Sequence, residues 1–595
     1  MAQAPVLNPP QTWNEWWRAS LWQFDLYRRF AHGRAPTVQQ MAENRAAWAN
    51  MPVPPGHPLR RRGERAGAVR VRYIERGDID PSIDVPNIPP GSTRPYVEAF
   101  ERRDEMREFF SSFRDLQYIR ALGYGGNGLA IQYRHQNAQD PFDFVVKIAV
   151  DGWEQETIRH EENYTKKMAR AAHSVQLIPR NRIGLPDARR FGFEAESDDD
   201  SSEAGLSSGD ESRGDEPNAN ALETGTRSEM RAERPYLARF KDSQHADRLS
   251  ASRELRRRRR IEISRIKRRR IAGLPFLLRD EVWDADRKDF MLLEFCPNGD
   301  LERLLLKIRA RGGAFPNRIL WSFWLCLVRA CLGMQYPPRK FHPRRKENPP
   351  ADRNGVPGVS SDALGKMVGE DLFEEVPDPR RRWASKRIVH FDIDIKNGNG
   401  IDVGTQDAEH RLIPRLKLAD FGLAKEIKPR KRNLYYYYQR DRAKFGYYAP
   451  EQFGQEWNYI LQPDGLPIEE DGGEISEQRI AGNYGPATNV WGIALVMWQL
   501  MTQMWAPVPP QLQPKTGVNA NLPYHFCPLL LTDNRYDVYD IELRETIARC
   551  MAYDPNERPP LLQLLRAAKR GIEKRFDGER DAFINQWVQA MIYNA

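Results

Sequence analysis

Apolar and polar positions recur with two different periods along this chain, and the changes between them divide it into segments. Near the start, Trp13, Trp17, Leu21 and Phe24 stand at helical spacing, flanked by Trp16 and Tyr27, until Gly33 and Pro36 end the pattern. Such an aromatic face usually means burial, so a helix packed on the body of the protein is the plainer reading. A surface for a regulatory partner, or an autoinhibitory helix, is the sharper one. A Pro- and Arg-rich stretch, MPVPPGHPLRRRGER, follows as an exposed linker. From about residue 112 short apolar runs broken by glycines predict a small sheet. The most apolar run, ILWSFWLCLVRACLGM, is shorter than the ~20 residues that span a bilayer and contains Arg329, so it predicts a buried helix. From 386 to about 575 the pattern is globular and mostly helical, and the run from Phe583 to Ile592 predicts one more amphipathic helix.

Two charged tracts interrupt this pattern. Residues 195–233 are acidic and Ser-rich (ESDDDSSEAGLSSGDESRGDEP), too polar to build a core. Residues 253–270 are strongly basic (RELRRRRRIEISRIKRRR) and read as a solvated helix within an insertion, as a nuclear-import signal, or as a nucleic-acid patch. A third irregular segment, 339–383, is rich in Pro, Gly, Asp and Arg. Composition changes this picture little. With 40% apolar and 29% charged residues, most of the 595-residue chain should be globular, and a net charge of +9 does not by itself argue for nucleic acid. The five cysteines show neither metal-ligand spacing nor a disulfide framework, which fits a reducing compartment. The first residues, MAQAPVLNPPQTW, lack the basic start and apolar run of a signal peptide, so the expected place is cytoplasmic or nuclear, without a membrane partner.

Four segments carry candidate chemistry. Gly123, Gly125, Gly126 and Gly128 are spaced so that backbone N–H groups can approach phosphate without Cβ interference. The following LAIQY reads as a strand, so the loop should be a hairpin rather than the opening of a helix. Next, FVVKI places Lys147 on a buried strand, where an ammonium needs a partner. Glu161 shares a helix face with Tyr164, Met168 and Ala172 and is the first candidate, with Glu162 on the adjacent face as its rival. In HFDIDIKN, Asp392 followed five residues later by Asn397 is what phosphoryl transfer asks of a loop: a carboxylate to orient the attacking hydroxyl, and an amide oxygen to hold Mg²⁺. In LKLADFG, a short strand delivers Asp420, a second magnesium ligand. Downstream, Glu451 of APE and the distant Arg558 are candidates for a buried ion pair.

In order and spacing these segments resemble the eukaryotic-type protein kinases over roughly residues 112–575, and VHFDIDIKN, GYYAPEQF and ATNVWGIALVMWQLMT are similar to a divergent kinase-like group expanded in filamentous fungi. The resemblance implies an α+β, two-lobed protein-kinase fold: an antiparallel sheet with one major helix in the N-lobe (112–297, insertion about 195–280), and a mostly helical C-lobe (298–575, insertion about 339–383). Around it would lie an N-terminal extension (1–111) and a C-terminal helix (576–595). The acidic and basic tracts would loop out between the fourth and fifth strands. The resemblance further implies ATP and Mg²⁺ as ligands and a protein substrate, serine or threonine by the usual assignment of the group. Lys147 would contact the α- and β-phosphates and Glu161 would lock it. Asp392 would be the catalytic base, and Asn397 and Asp420 would hold magnesium. Leu293 would gate the pocket, the backbone of Glu294 and Cys296 would bind adenine, and Asp300 would reach the ribose.

The chain departs from that family in several places. Phe391 replaces the arginine that normally grips an activation-loop phosphate, and Lys425–Tyr448 contains no Ser or Thr; it does contain the run Tyr435, Tyr436, Tyr437 and Tyr438, open to modification or to packing. Asp394 stands where a lysine is usual and Lys444 where a threonine is usual, which suggests an exchanged Asp394–Lys444 salt bridge. Asn489 replaces a buried aspartate that holds the catalytic loop. Asn399 stands where a leucine floors the adenine, unless Ile401 takes that place. Two functions therefore compete: an active protein kinase, favoured by the retained Lys147, Asp392, Asn397 and Asp420, and a pseudokinase scaffold that binds nucleotide weakly and acts through protein partners.

Overall fold

Pro95, in the first turn, opens helix α1 (Arg94–Ser111), and its buried positions Tyr96, Ala99, Phe100, Arg103, Met106 and Phe110 recur every three or four residues. The computed structural model describes residues 82–125, 128–136, 141–150, 156–183, 289–338, 374–377, 384–396, 400–401, 409–431, 433–440, 442–444, 446–454, 475–507, 510, 513 and 522–594. The expected aromatic helix over 13–27, the Pro/Arg linker, both charged tracts, most of 339–383, and Gly126, Asn397 and Asn399 lie outside these residues.

Helix α1 is followed by strands β1 (Leu116–Gly125), β2 (Gly128–His135) and β3 (Phe142–Ile148), helix α2 (Glu156–Lys167) and strand β4 (Met291–Glu294). The four strands form one antiparallel sheet in the order β1-β2-β3-β4, and Gly125 pairs with Gly128 across the hairpin. Phe110 of α1 packs its ring 5.1 Å from Tyr133 of β2 and 5.2 Å from Phe290, just before β4. The segment ahead of α1 is tied down as well: Arg103 donates to Val85 O at 2.9 Å, and Asp84 accepts from Ala121 N at 2.8 Å. The cover of the sheet therefore starts inside the segment that the sequence assigns to an N-terminal extension ending at 111. The strand expected before the insertion is reduced to one antiparallel bridge between Leu177 and Leu293. Ile178 N donates to Leu292 O at 2.9 Å, and Pro179, which has no N–H, ends the pairing there.

The remainder is mostly helical: α3 (Leu301–Ala310), α4 (Asn317–Gln335), the two-residue strands β5 (Ile388–Val389), β6 (Gly400–Ile401), β7 (Leu416–Lys417) and β8 (Lys425–Glu426), then the short helices α5 (Asn433–Tyr437) and α6 (Pro450–Phe453). Helices α7 (Pro486–Thr502), α8 (Ile541–Cys550), α9 (Leu561–Glu573) and α10 (Asp581–Val588) complete it. β5 pairs with β8 and β6 with β7, both antiparallel. The expected buried helix is α4: every residue from Ile319 to Met334 is buried, and α7 and α9 pack against it. Gly571 permits the closest approach, because a Cβ there would run into the Trp321 indole. The C-terminal run forms α10 and a π-helical turn (Gln589–Tyr593); Trp587 lies 6.0 Å from Phe315, and Arg311 of α3's end donates to Ala590 O at 3.0 Å. The chain is thus mixed α and β, with a small antiparallel sheet and several helices. Among the described residues no helix is long and apolar enough to cross a membrane, and all five cysteines are free thiols.

Candidate functional site

Strand β3 carries Lys147 inward, and two carboxylates meet its ammonium. Glu161 Oε1 lies 2.7 Å away on α2, and Asp420 Oδ1 lies 2.8 Å away just after β7. Glu162 points elsewhere, pairing with Arg159 at 2.6 Å and Lys166 at 2.9 Å. Burial alone would lower the Lys147 ammonium, but Asp420 and Glu161 overturn this and raise it. One cation divided between two anions leaves a difference between them. Burial holds the Glu161 carboxyl up at about 7 despite Lys147, whereas at Asp420 Lys147 overcomes burial and holds the carboxyl below its usual range. Asp420 is therefore held as an anion more firmly than Glu161. Its backbone is left-handed (φ 60°), which turns the chain into the short 3₁₀ segment Phe421–Leu423.

Helix α2 is held to the segment after Asp420 by several bonds. His160 Nε2 bonds Ala424 O at 2.7 Å, Glu426 N donates to the Tyr164 hydroxyl at 2.7 Å, and Lys167 pairs with Glu426 at 2.9 Å. Gly128 closes the hairpin beside Lys147: a Cβ there would lie 2.7 Å from Ile148 O and 3.1 Å from Lys147 Cε. Gly123 and Gly125 face open space, with nothing within 4 Å of a built Cβ.

Asp392 lies on the loop after β5 and is 1% exposed. Burial pushes its carboxyl well above the usual range; Asp394 and Asp420 add to that, and Lys444 opposes it. His390 fixes the loop on both sides. Its Nδ1 accepts from Asp392 N at 3.2 Å, so Nε2 carries the proton and donates to Ala419 O at 3.0 Å. Burial depresses this imidazole to about 4, which keeps it in the neutral tautomer that both bonds need. Asn489 of α7 accepts from His390 N at 2.9 Å and donates to Ile388 O at 2.7 Å, so it ties β5 to the start of the loop. Lys444 reaches Asp394 Oδ2 at 2.6 Å and Asp392 Oδ1 at 3.6 Å. Phe391, in a left-handed conformation (φ 64°), packs against Tyr484 at 5.5 Å and joins an apolar cluster with Tyr436, Ile475 and Ile427. Of the four tyrosines, Tyr436 is buried and Tyr438 is exposed.

The remaining predicted residues fall around this centre. Glu294 ends β4 and Cys296 lies just beyond it, and Leu293 ahead of them is buried. Asp300 is committed to capping α3, where its carboxylate accepts from Arg303 N at 2.8 Å. Ile401 is fully buried and its N–H donates to Gly299 O at 2.9 Å. Gly126 and Asn397 are outside the described residues. Sequence reading gave no role to Lys417, which crosses from β7 to Glu294 at 2.8 Å, or to His390. A lysine alternating with leucines in LKL was the available signal for the first. Glu451 and Arg558 form a doubly bonded pair at 2.8 Å and 2.8 Å with both side chains 0% exposed.

The chemistry of this donor set is specific. A buried ammonium, a low-pKa carboxylate that offers hard oxygen ligands, and a second, high-pKa carboxylate suit a polyanion with a divalent cation and a proton to be removed. Comparison with protein families finds no family model that matches the chain, and comparison with curated proteins finds no matching protein.

Proposed function

We propose that this chain is a protein kinase of two-lobed fold that transfers the γ-phosphoryl group of ATP to a serine or threonine hydroxyl of a protein substrate. The observation that carries this reading is the position of Lys147 between Glu161 and Asp420, with Asp392 buried beside the same charges. Support for the phosphate side comes from the open backbone at Gly123 and Gly125 and the tight one at Gly128.

In this reading Lys147 holds the α- and β-phosphates, and Glu161 keeps its ammonium aimed. Asp420, with Asn397 as the proposed second ligand, would hold Mg²⁺. Bound Mg²⁺ supplies neutralisation of the phosphate charge. Asp392 orients the substrate hydroxyl and takes its proton as the new O–P bond forms and ADP departs, with Lys444 opposing the burial that favours the protonated carboxyl. His390 and Asn489 position Asp392 and do not touch substrate. Lys444, 3.6 Å from Asp392, keeps a positive charge beside the developing negative one.

The test is Mg-ATP affinity measured by calorimetry in wild type, Lys147→Met and Asp420→Asn. The reading expects magnesium-dependent binding that Lys147→Met weakens by roughly tenfold or more and Asp420→Asn makes insensitive to magnesium. Wild type that binds no nucleotide would overturn it.

A further inference from the structure

Away from the Lys147 cleft, three metal-ligating side chains from distant parts of the chain converge. His173 lies beyond the end of α2, Cys326 lies in the middle of α4, and His410 lies ahead of β7; each is at most 1% exposed. His410 Nε2 is 3.3 Å from His173 Nε2 and 3.3 Å from Cys326 Sγ. All three ligand atoms lie within 4.8 Å of one another. Tetrahedral zinc with Zn–N arms of ~2.0–2.1 Å sets neighbouring nitrogens about 3.3 Å apart. Two imidazoles and a thiol are borderline-to-soft donors, matched to zinc and poorly matched to magnesium or calcium.

The surrounding residues hold these groups in place. Glu374 Oε2 bonds His173 Nδ1 at 2.7 Å, and its Oε1 accepts His173 N at 2.8 Å. The carboxylate thus places the proton on Nδ1 and aims the Nε2 lone pair at the cluster, as the carboxylate partner of a metal-bound histidine does. Arg329 stands one turn after Cys326 on the same helix face. It donates to Glu374 O at 2.6 Å and to Glu409 Oε2 at 2.8 Å. One buried guanidinium therefore fixes both the residue that orients His173 and the neighbour of His410.

We propose that His173, Cys326 and His410 bind a Zn²⁺ ion, with Glu374 and Arg329 as positioning residues. On binding, the Cys326 S–H bond breaks, its proton leaves to solvent, and the sulfur bonds the metal as thiolate; the fourth corner is left to water. The site is tied to the cleft through the backbone. Leu418 N donates to His173 O at 2.8 Å, and Leu418 O accepts from Val175 N at 2.8 Å, two residues before Asp420. A metal here would stiffen the segment that delivers Asp420, whatever reaction the cleft performs.

The full-length protein, expressed in zinc-containing medium and dialysed, is assayed for metal by mass spectrometry, then stripped and titrated with Co²⁺. The expected result is about one zinc per chain and a thiolate-to-cobalt charge-transfer band. The band should be lost in Cys326→Ser and kept in Cys331→Ser. Glu374→Gln, which leaves all three ligands in place, should weaken zinc binding about 10–100-fold and keeps the test decisive where Cys326→Ser does not fold. Wild type without zinc and without the cobalt band, or a band unchanged by Cys326→Ser, or Glu374→Gln binding zinc as wild type does, would each overturn the site.

Discussion

Lys444 Nζ reaches Asp394 Oδ2 at 2.6 Å across fifty residues of chain, and both belong to segments that frame Asp392. Asp394 is 1% exposed and Lys444 about a third, so the pair is desolvated on one side only. Lys444→Met should cost about 1–2 kcal/mol in urea unfolding, less than breaking a fully buried pair, because solvent reaches the lysine. The charge-exchanged double variant Asp394→Lys with Lys444→Asp should recover part of the loss that either single change causes. Strict additivity of the two single changes would show that the contact carries no coupling.

The Glu451–Arg558 pair has no such solvent access, and its 0% exposure on both sides puts it in a different energetic class. Glu451 also accepts from Thr488 Oγ1 at 2.9 Å. Glu451→Ala strands a buried guanidinium and should destabilise by about 3–5 kcal/mol in thermal or denaturant unfolding. A change below about 1 kcal/mol would mean that water enters and solvates Arg558.

Asn489 makes one bond as acceptor and one as donor, to His390 N and Ile388 O. An aspartate at this position could keep the first bond but not the second. Asn489→Asp should therefore destabilise by about 1–3 kcal/mol. Stabilisation by this substitution would show that the Ile388 carbonyl is satisfied another way.

Two buried histidines should make the protein sensitive to acid. Burial depresses His390 and His525 to about 4 each, so these two groups bind fewer protons in the folded state than in the unfolded chain between pH 6.5 and 4, whereas Glu161 and Glu302, held up at about 7, bind more. The contribution of the histidines is complete above about pH 6.5 and is lost as pH falls toward 4, about 3 kcal/mol for each histidine. His525→Gln should lower the slope of stability against pH in that window by about 1.4 kcal/mol per pH unit, the share of one histidine. A slope unchanged by the substitution would assign the acid sensitivity to other groups.

The parts of this architecture visible in the sequence are those where local pattern and chemistry coincide. FVVKI, LKLADFG and the unbroken apolar run of α4 each announce an element and its burial, and the charge exchange between Asp394 and Lys444 is legible because both sit at fixed offsets from motifs. Helix α1 is harder to see, since RPYVEAFERRDEMREFF is dense in charge and its buried face includes Arg103. The reduction of the strand before the insertion to a single bridge depends on Pro179, whose effect appears only once the partner strand is known. The His173–Cys326–His410 cluster was invisible for a simpler reason: its members are 84 and 237 residues apart, and only the tertiary fold brings them together.

The central claim is that Asp392 takes a proton from a hydroxyl during phosphoryl transfer. Its most direct test is transfer of labelled γ-phosphate from Mg-ATP to protein, wild type against Asp392→Asn, at equal nucleotide saturation. The account predicts measurable transfer by wild type and a fall of about 10²–10⁴-fold in the variant with nucleotide affinity little changed. Nucleotide binding by both proteins with no transfer by either, across a broad panel of protein substrates, would contradict it and leave a nucleotide-binding scaffold.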